Sequence, residues 1–171
     1  LVIEDSADTL GGTLRGTPTG DRSDISITSF YGSHIINCGG NGGWIGINDR
    51  DMARKARLLR SWGRTSAEFA DIAEAESLNK RFGIELNGIE YDRKFIFEYP
   101  GYQLEPSEMG AAFGLVQLSH FDEVKRKRMA AYSRMESIFK KYTDFVRTGI
   151  PFPDAEIVWM HFPFVINENS P

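Results

Sequence analysis

The residues between Thr28 and Gly43, TSFYGSHIINCGGNGG, combine hydroxyl side chains, a lone histidine and a glycine-rich end. An imidazole titrates near neutral pH, so His34 has the chemistry of a general acid or base. The glycines between positions 39 and 43 permit positive φ angles and a close approach of the backbone. Either a bound phosphate or a tight turn between two strands would require that freedom.

A second group of reactive side chains follows the apolar residues Leu1-Val2-Ile3, which predict a short buried strand. Glu4 and Asp5 would then lie at the carboxyl end of that strand, where ligands of open α/β sheets bind. Asp5 and Ser6 would equally suit the cap of a helix or turn. Both interpretations stay open on the sequence alone.

The predicted elements that position these residues are mainly strands before residue 48 and mainly helices between residues 50 and 145. The glycines from residue 11 to 20 indicate a hairpin, and Asn48-Asp49 would cap a helix. The periodicity predicts strands over 24–30, 44–47 and 157–166, and helices over about 50–62, 107–120 and 121–145.

The two later helices carry distinct patterns. In the helix over 107–120, small and branched residues predict a close-packing face, and in the longer helix a basic run predicts a solvated face. The packing residues are Ala111, Ala112, Leu115 and Leu118, and the basic run is Lys125 to Arg128.

Composition narrows the class of protein. The chain has 171 residues, 41% hydrophobic and 26% charged, with a net charge of −4 and scattered basic residues. These values favour a globular protein and give no basic footprint for nucleic acid. No apolar run approaches the roughly 20 residues of a membrane-spanning helix, and the single Cys38 excludes an intrachain disulfide. The composition fits a cytoplasmic enzyme.

The pattern Ser29-Phe30-x-x-x-His34, followed by Gly42-Gly43 and the apolar run to Ile47, resembles the DegT/DnrJ/EryC1/StrS sugar aminotransferase family. These are fold-type I pyridoxal phosphate (PLP) proteins. The resemblance is specific from Leu1 to about Leu118 and generic beyond it. It implies an α/β fold, a fragment of the aspartate aminotransferase-like large domain with a mixed sheet flanked by helices. Residues 1–150 would form that part, and 151–171 would begin the small C-terminal domain.

The resemblance also assigns roles to individual residues. His34 stands where the family carries its cofactor-binding lysine and would be the catalytic base, while Asp5 would pair with the pyridinium nitrogen. Ser29 would donate to the cofactor phosphate. Asp8 falls where many members place a glutamine near the ring hydroxyl, although a solvated aspartate is an equal alternative. Gln103 replaces an asparagine that reaches the phosphate of the other subunit, which implies a homodimer.

The exchange of lysine for histidine is similar to the 3-dehydratase branch, which removes the C3 hydroxyl of a nucleotide-linked 4-keto-6-deoxyhexose. The cofactor would be PLP or its amine form, pyridoxamine phosphate (PMP), with glutamate as amino donor. No iron–sulfur cluster is expected, because residues 65–92 contain no cysteine. A sugar aminotransferase and a non-catalytic structural relative remain the alternatives.

Overall fold

A computed structural model describes residues 1–168 of the chain, which form two compact units. The first unit contains Leu1–Gly46 together with the residues from Pro106 onward, and the second contains Ile47–Glu105. The division expected between residues 150 and 151 stays a prediction, and its last three residues, 169–171, lie outside the described part of the chain.

Along the described part of the chain, five strands are followed by three α-helices, two strands, two α-helices and three strands. The strands are β1 (Ile3–Asp5), β2 (Thr13–Leu14), β3 (Thr17–Pro18), β4 (Ile25–Ser29), β5 (Gly43–Ile47), β6 (Ile84–Leu86), β7 (Ile89–Tyr91), β8 (Val146–Thr148), β9 (Ala155–Glu156) and β10 (Phe164–Ile166). The α-helices are α1 (Arg50–Arg60), α2 (Ile72–Glu76), α3 (Leu78–Arg81), α4 (Glu108–Ser119) and α5 (Phe121–Phe139). Short 3₁₀ turns occupy Thr65–Glu68 and Arg93–Phe95.

The sheet that carries the predicted site has the order β1-β4-β5. Strand β1 runs parallel to β4, with Ile3 opposite Ile25 and Asp5 opposite Ile27. The predicted burial of Leu1-Val2-Ile3 is wrong, because β1 is an edge strand and these side chains are exposed within the described part of the chain.

Smaller sheets complete the first unit. The predicted hairpin is confirmed as β2 and β3, and β9 adds to β2 through Leu14 and Ala155. The prediction of one strand over 157–166 is largely wrong. In the described part of the chain, β9 lies just before this range and β10 lies at its end. Strand β10 pairs antiparallel with β8.

Helix α4 begins at Glu108, one residue later than predicted, with Ser107 as its N-cap, and the predicted packing face is wrong. Ala111, Ala112, Leu115 and Leu118 are exposed, whereas Gly114 is buried. The structural reason is the loop before β5, where a Cβ atom added to Gly110 would lie 2.8 Å from the carbonyl oxygen of Cys38, and one added to Gly114 would overlap the Cys38 Sγ atom. Two glycines one helical turn apart therefore let the helix backbone approach the loop.

Helix α5 ends at Phe139, earlier than predicted, and its basic run is only partly solvated. Lys125 Nζ lies 2.5 Å from a carboxylate oxygen of Glu156, and Arg128 donates to the carbonyl oxygen of Trp159 at 3.2 Å. These contacts tie the helix to the segment around β9. Among residues 1–168, no helix combines the length and apolar character that crossing a membrane requires.

The second unit is held by charged side chains around α1. The Asp49 carboxylate caps the helix by accepting from the Met52 amide at 2.7 Å, as predicted. Arg54 lies 2.6 Å from carboxylate oxygens of both Glu68 and Glu98. These pairs join α1 to the following 3₁₀ turn and to the extended segment near residue 98.

Another ion pair in the same unit links α3 to the end of β7. The Arg81 guanidinium contacts the buried carboxylate of Asp92. Its hydrogen bond lowers the pKa of Asp92 below the usual value. The carboxylate is therefore ionised across the neutral range.

We expect Gly114→Ala in the full-length protein to lower the free energy of unfolding by about 1–3 kcal/mol, the usual cost of overpacking. The added methyl group meets the Cys38 thiol, so combining Gly114→Ala with Cys38→Gly should restore much of the loss. Gly110→Ala meets a backbone oxygen instead and should not be rescued by Cys38→Gly. Urea unfolding of the two single and two double variants measures this; equal rescue of both alanines would contradict the proposed contacts.

Candidate functional site

Asp5 and Ser29 lie at the carboxyl ends of two neighbouring parallel strands. Asp5 ends β1 and Ser29 ends β4. The ladder continues past Asp5, where the Ser6 amide donates to the Ile27 carbonyl oxygen at 3.0 Å. Parallel pairing thus brings a carboxylate and a hydroxyl to the same edge of the sheet, the edge at which α/β proteins bind ligands.

The two adjacent carboxylates of β1 have different tasks. Glu4 Oε1 accepts from the Ser6 hydroxyl at 2.5 Å and from the Gly20 amide at 2.8 Å, so it fixes the turn after β3. Asp5 Oδ1 accepts from the Ala7 amide at 3.1 Å. These hydrogen bonds give Glu4 a structural role. Because successive side chains of a strand point to opposite faces, Asp5 faces the other side of the sheet.

Ser29 provides two groups to the loop that follows β4. Its Oγ atom accepts from the Tyr31 amide at 3.3 Å, which leaves its own hydroxyl proton able to donate to a ligand. Its carbonyl oxygen lies 3.0 Å from His34 Nδ1. One residue therefore orients its own side chain and the histidine.

His34 is held on several sides. Its amide donates to the Tyr31 carbonyl oxygen at 3.0 Å, and the Tyr31 ring lies edge-on with the ring centres 5.9 Å apart. The His34 side chain is 16% exposed. A carbonyl oxygen only accepts hydrogen bonds, so Nδ1 carries a proton and Nε2 is the atom that remains for proton transfer.

Asp8 lies beside His34, a relation that the sequence did not predict. Asp8 Oδ1 is 3.2 Å from His34 Nε2, while the Asp8 side chain is 67% exposed. The two residues are separated by two hairpin strands and β4, so no local spacing indicates their contact. The expected contact between Asp8 and the ring hydroxyl of a cofactor stays a prediction.

The glycines that end the loop form a turn between strands. The Phe30 amide donates to the Gly42 carbonyl oxygen at 2.9 Å, and the Cys38 amide donates to the Phe30 carbonyl oxygen at 3.0 Å. Gly39 and Gly40 have φ angles of 70° and 109°, in the region that favours glycine. Of the two interpretations open on the sequence, the structure shows the turn.

Gln103 belongs to the second unit and is not among the residues that the first unit brings together. Its Oε1 atom accepts from the Glu105 amide at 3.0 Å, and its backbone pairs with Ser61 after α1. The side-chain amide nitrogen is a donor in this arrangement. Its contact with a partner subunit's cofactor stays a prediction.

Arg64, which follows α1, is packed against aromatic side chains. Its guanidinium lies over the Trp62 ring, 4.5 Å from the ring centre, and over the Phe97 ring at 5.4 Å. Stacking of this kind stabilises a guanidinium against aromatic faces. The structure therefore gives Arg64 a packing role within the second unit.

Comparison with known proteins identifies the family of the chain. The model of the DegT/DnrJ/EryC1/StrS aminotransferase family matches residues 1–171. The lipopolysaccharide biosynthesis protein RfbH of Salmonella typhimurium is 30% identical over 99% of this chain and 38% of its own length. GDP-perosamine synthase of Caulobacter vibrioides is 34% identical over 94% of this chain and 37% of its own length. The chain thus spans less than half of these relatives.

Solved structures confirm the predicted α/β fold. The E. coli GDP-4-keto-6-deoxy-D-mannose-3-dehydratase with bound hydrated PLP superimposes with a TM-score of 0.73 at 24% identity, over 99% of this chain and 41% of that one. The fold and the family match together confirm the resemblance drawn from Ser29, His34 and the glycine turn. The chain belongs to the DegT/DnrJ/EryC1/StrS aminotransferase family.

Proposed function

We propose that the protein is a PLP/PMP-dependent 3-dehydratase that removes the C3 hydroxyl of a nucleotide-linked 4-keto-6-deoxyhexose in deoxysugar and polysaccharide biosynthesis. The observation that carries the proposal is a fixed histidine where the family places its lysine. His34 is anchored through Nδ1 to the Ser29 carbonyl oxygen, and no lysine occurs between residues 28 and 43.

The donor set at the sheet edge fits the cofactor. Asp5 offers a carboxylate for the pyridinium nitrogen, and Ser29 offers a hydroxyl for the phosphate. When bound, the cofactor supplies an electron-withdrawing ring that stabilises negative charge on the adjacent carbon. A carboxylate beside the ring nitrogen keeps that nitrogen protonated and so strengthens the effect.

His34 supplies proton transfer without a covalent link to the cofactor. An imidazole forms no imine, so the ring can only bind, orient or exchange protons. With Nδ1 donating to Ser29, the Nε2 atom would be the one that accepts a proton at the cofactor's C4′ carbon, a general-base role typical of histidine. Removal of that proton is common to amination and to elimination, so the proposal of elimination rests on the absence of a lysine at position 34.

Two alternatives remain. A sugar aminotransferase is favoured by the 34% identity to GDP-perosamine synthase. A non-catalytic structural subunit is disfavoured because Asp5 and Ser29 retain usable side chains at adjacent strand ends. We further propose that the protein acts on a nucleotide-sugar substrate, uses glutamate as amino donor, forms a homodimer and is located in the cytoplasm.

We expect His34→Asn in the full-length protein to keep the cofactor, because the Asp5 and Ser29 contacts do not depend on the imidazole. The variant should lose single-turnover elimination of the C3 hydroxyl by roughly 10²–10⁴-fold, the contribution of a general base. His34→Lys should bind the cofactor covalently and shift the products toward amination. Elimination by His34→Asn at the parent rate would refute the 3-dehydratase assignment.

Gln103→Ala should weaken retention of the cofactor and leave the dimer intact, if its amide reaches the phosphate in the other subunit. Gln103→Asn introduces the asparagine that the family carries at this position and should retain the cofactor. Equilibrium dialysis with PLP and sedimentation velocity measure the two properties. A monomeric full-length protein that binds PLP tightly would contradict the shared site.

A further inference from the structure

We propose that Asp8 is a positioning residue for His34, holding its carboxylate beside Nε2 so that it stabilises the imidazolium that forms when His34 removes a proton. The proposal rests on the proposed function of His34 as a base. It differs from a contact between Asp8 and the cofactor ring, because Asp8 acts through the histidine.

The polar neighbours of the imidazole carry this inference. Its Nδ1 atom lies 3.0 Å from the Ser29 carbonyl oxygen, its Nε2 atom lies 3.2 Å from Asp8 Oδ1, and the Tyr31 ring lies edge-on. The carbonyl oxygen carries partial negative charge and the carboxylate carries a full one. A positive charge that forms on the ring is therefore attracted by both neighbours.

The proton balance follows from this geometry. Neutral His34 has a proton on Nδ1 and a lone pair on Nε2, and the lone pair takes the incoming proton. The new N–H bond points toward the carbon that gave up the proton, while Asp8 Oδ1, 3.2 Å from Nε2, attracts the positively charged ring. Asp8 therefore favours the product side of the proton transfer and helps Ser29 to hold the ring in place.

The exposure of the two side chains indicates a positioning role of limited strength. His34 is 16% exposed, while Asp8 is 67% exposed and reaches the ring from the solvent side. An exposed ion pair contributes modestly. The expected loss on removing Asp8 is consequently smaller than the loss on removing His34.

The test compares Asp8→Asn, Asp8→Glu, His34→Asn and the double variant Asp8→Asn/His34→Asn in the full-length protein, with Asp21→Asn as an exposed control from the same unit. Asp8→Asn should slow single-turnover elimination about tenfold and leave cofactor retention unchanged, and Asp8→Glu should recover most of the rate. Within the His34→Asn background, Asp8→Asn should have no further effect.

A readout independent of turnover is acylation of His34 by diethylpyrocarbonate at about pH 6, followed by peptide mass spectrometry, since only the unprotonated ring reacts. Asp8→Asn should raise the acylated fraction of His34 roughly two- to fivefold. His120 and His161 should not change, nor should the control Asp21→Asn.

The outcomes separate the two proposals. Parent-like elimination in His34→Asn refutes the proposed function. If His34→Asn is slow while Asp8→Asn shows the parent rate of elimination and the parent extent of His34 acylation, the role of Asp8 is overturned and the proposed function stands. Loss of the cofactor in Asp8→Asn, or a further rate loss in the double variant, also overturns it in favour of a direct cofactor contact.

Discussion

The parallel pairing of β1 with β4 is the constraint on which the candidate site depends. It places the last residues of both strands at one edge of the sheet, with Asp5 opposite Ile27 and Ser29 two residues further along. A carboxylate and a hydroxyl from distant parts of the chain thereby meet without any local sequence signal between them. Glu4 secures the pairing from the opposite face by binding the turn at Gly20.

The loop after β4 adds the imidazole of His34 to the first unit's candidate site. The carbonyl oxygen of Ser29 fixes the tautomer of His34, and the glycine turn returns the chain to β5. Helix α4 supports the loop from outside, because Gly110 and Gly114 leave room for the backbone and side chain of Cys38. The position of the imidazole thus depends on a strand end, a turn and a glycine-lined helix, all in the first unit.

Local patterns in the sequence predicted the hairpin, the cap at Asp49 and the strands that flank His34. The family resemblance named Asp5, Ser29 and His34 as site residues, and their roles stay predictions. The packing of α4 was mispredicted because apolar side chains suggested a buried face, whereas the actual contact uses the absence of side chains at Gly110 and Gly114. The contact between Asp8 and His34 depends on tertiary packing across the hairpin, which no spacing rule contains.

The central claim is that a histidine at the lysine position directs the chemistry toward loss of an oxygen from the sugar. The most direct measurement is the product formed when the full-length PMP enzyme meets a nucleotide-linked 4-keto-6-deoxyhexose, identified by mass spectrometry and NMR. The account predicts a sugar that has lost its C3 hydroxyl. A 4-amino sugar that retains the C3 hydroxyl as the main product would contradict it.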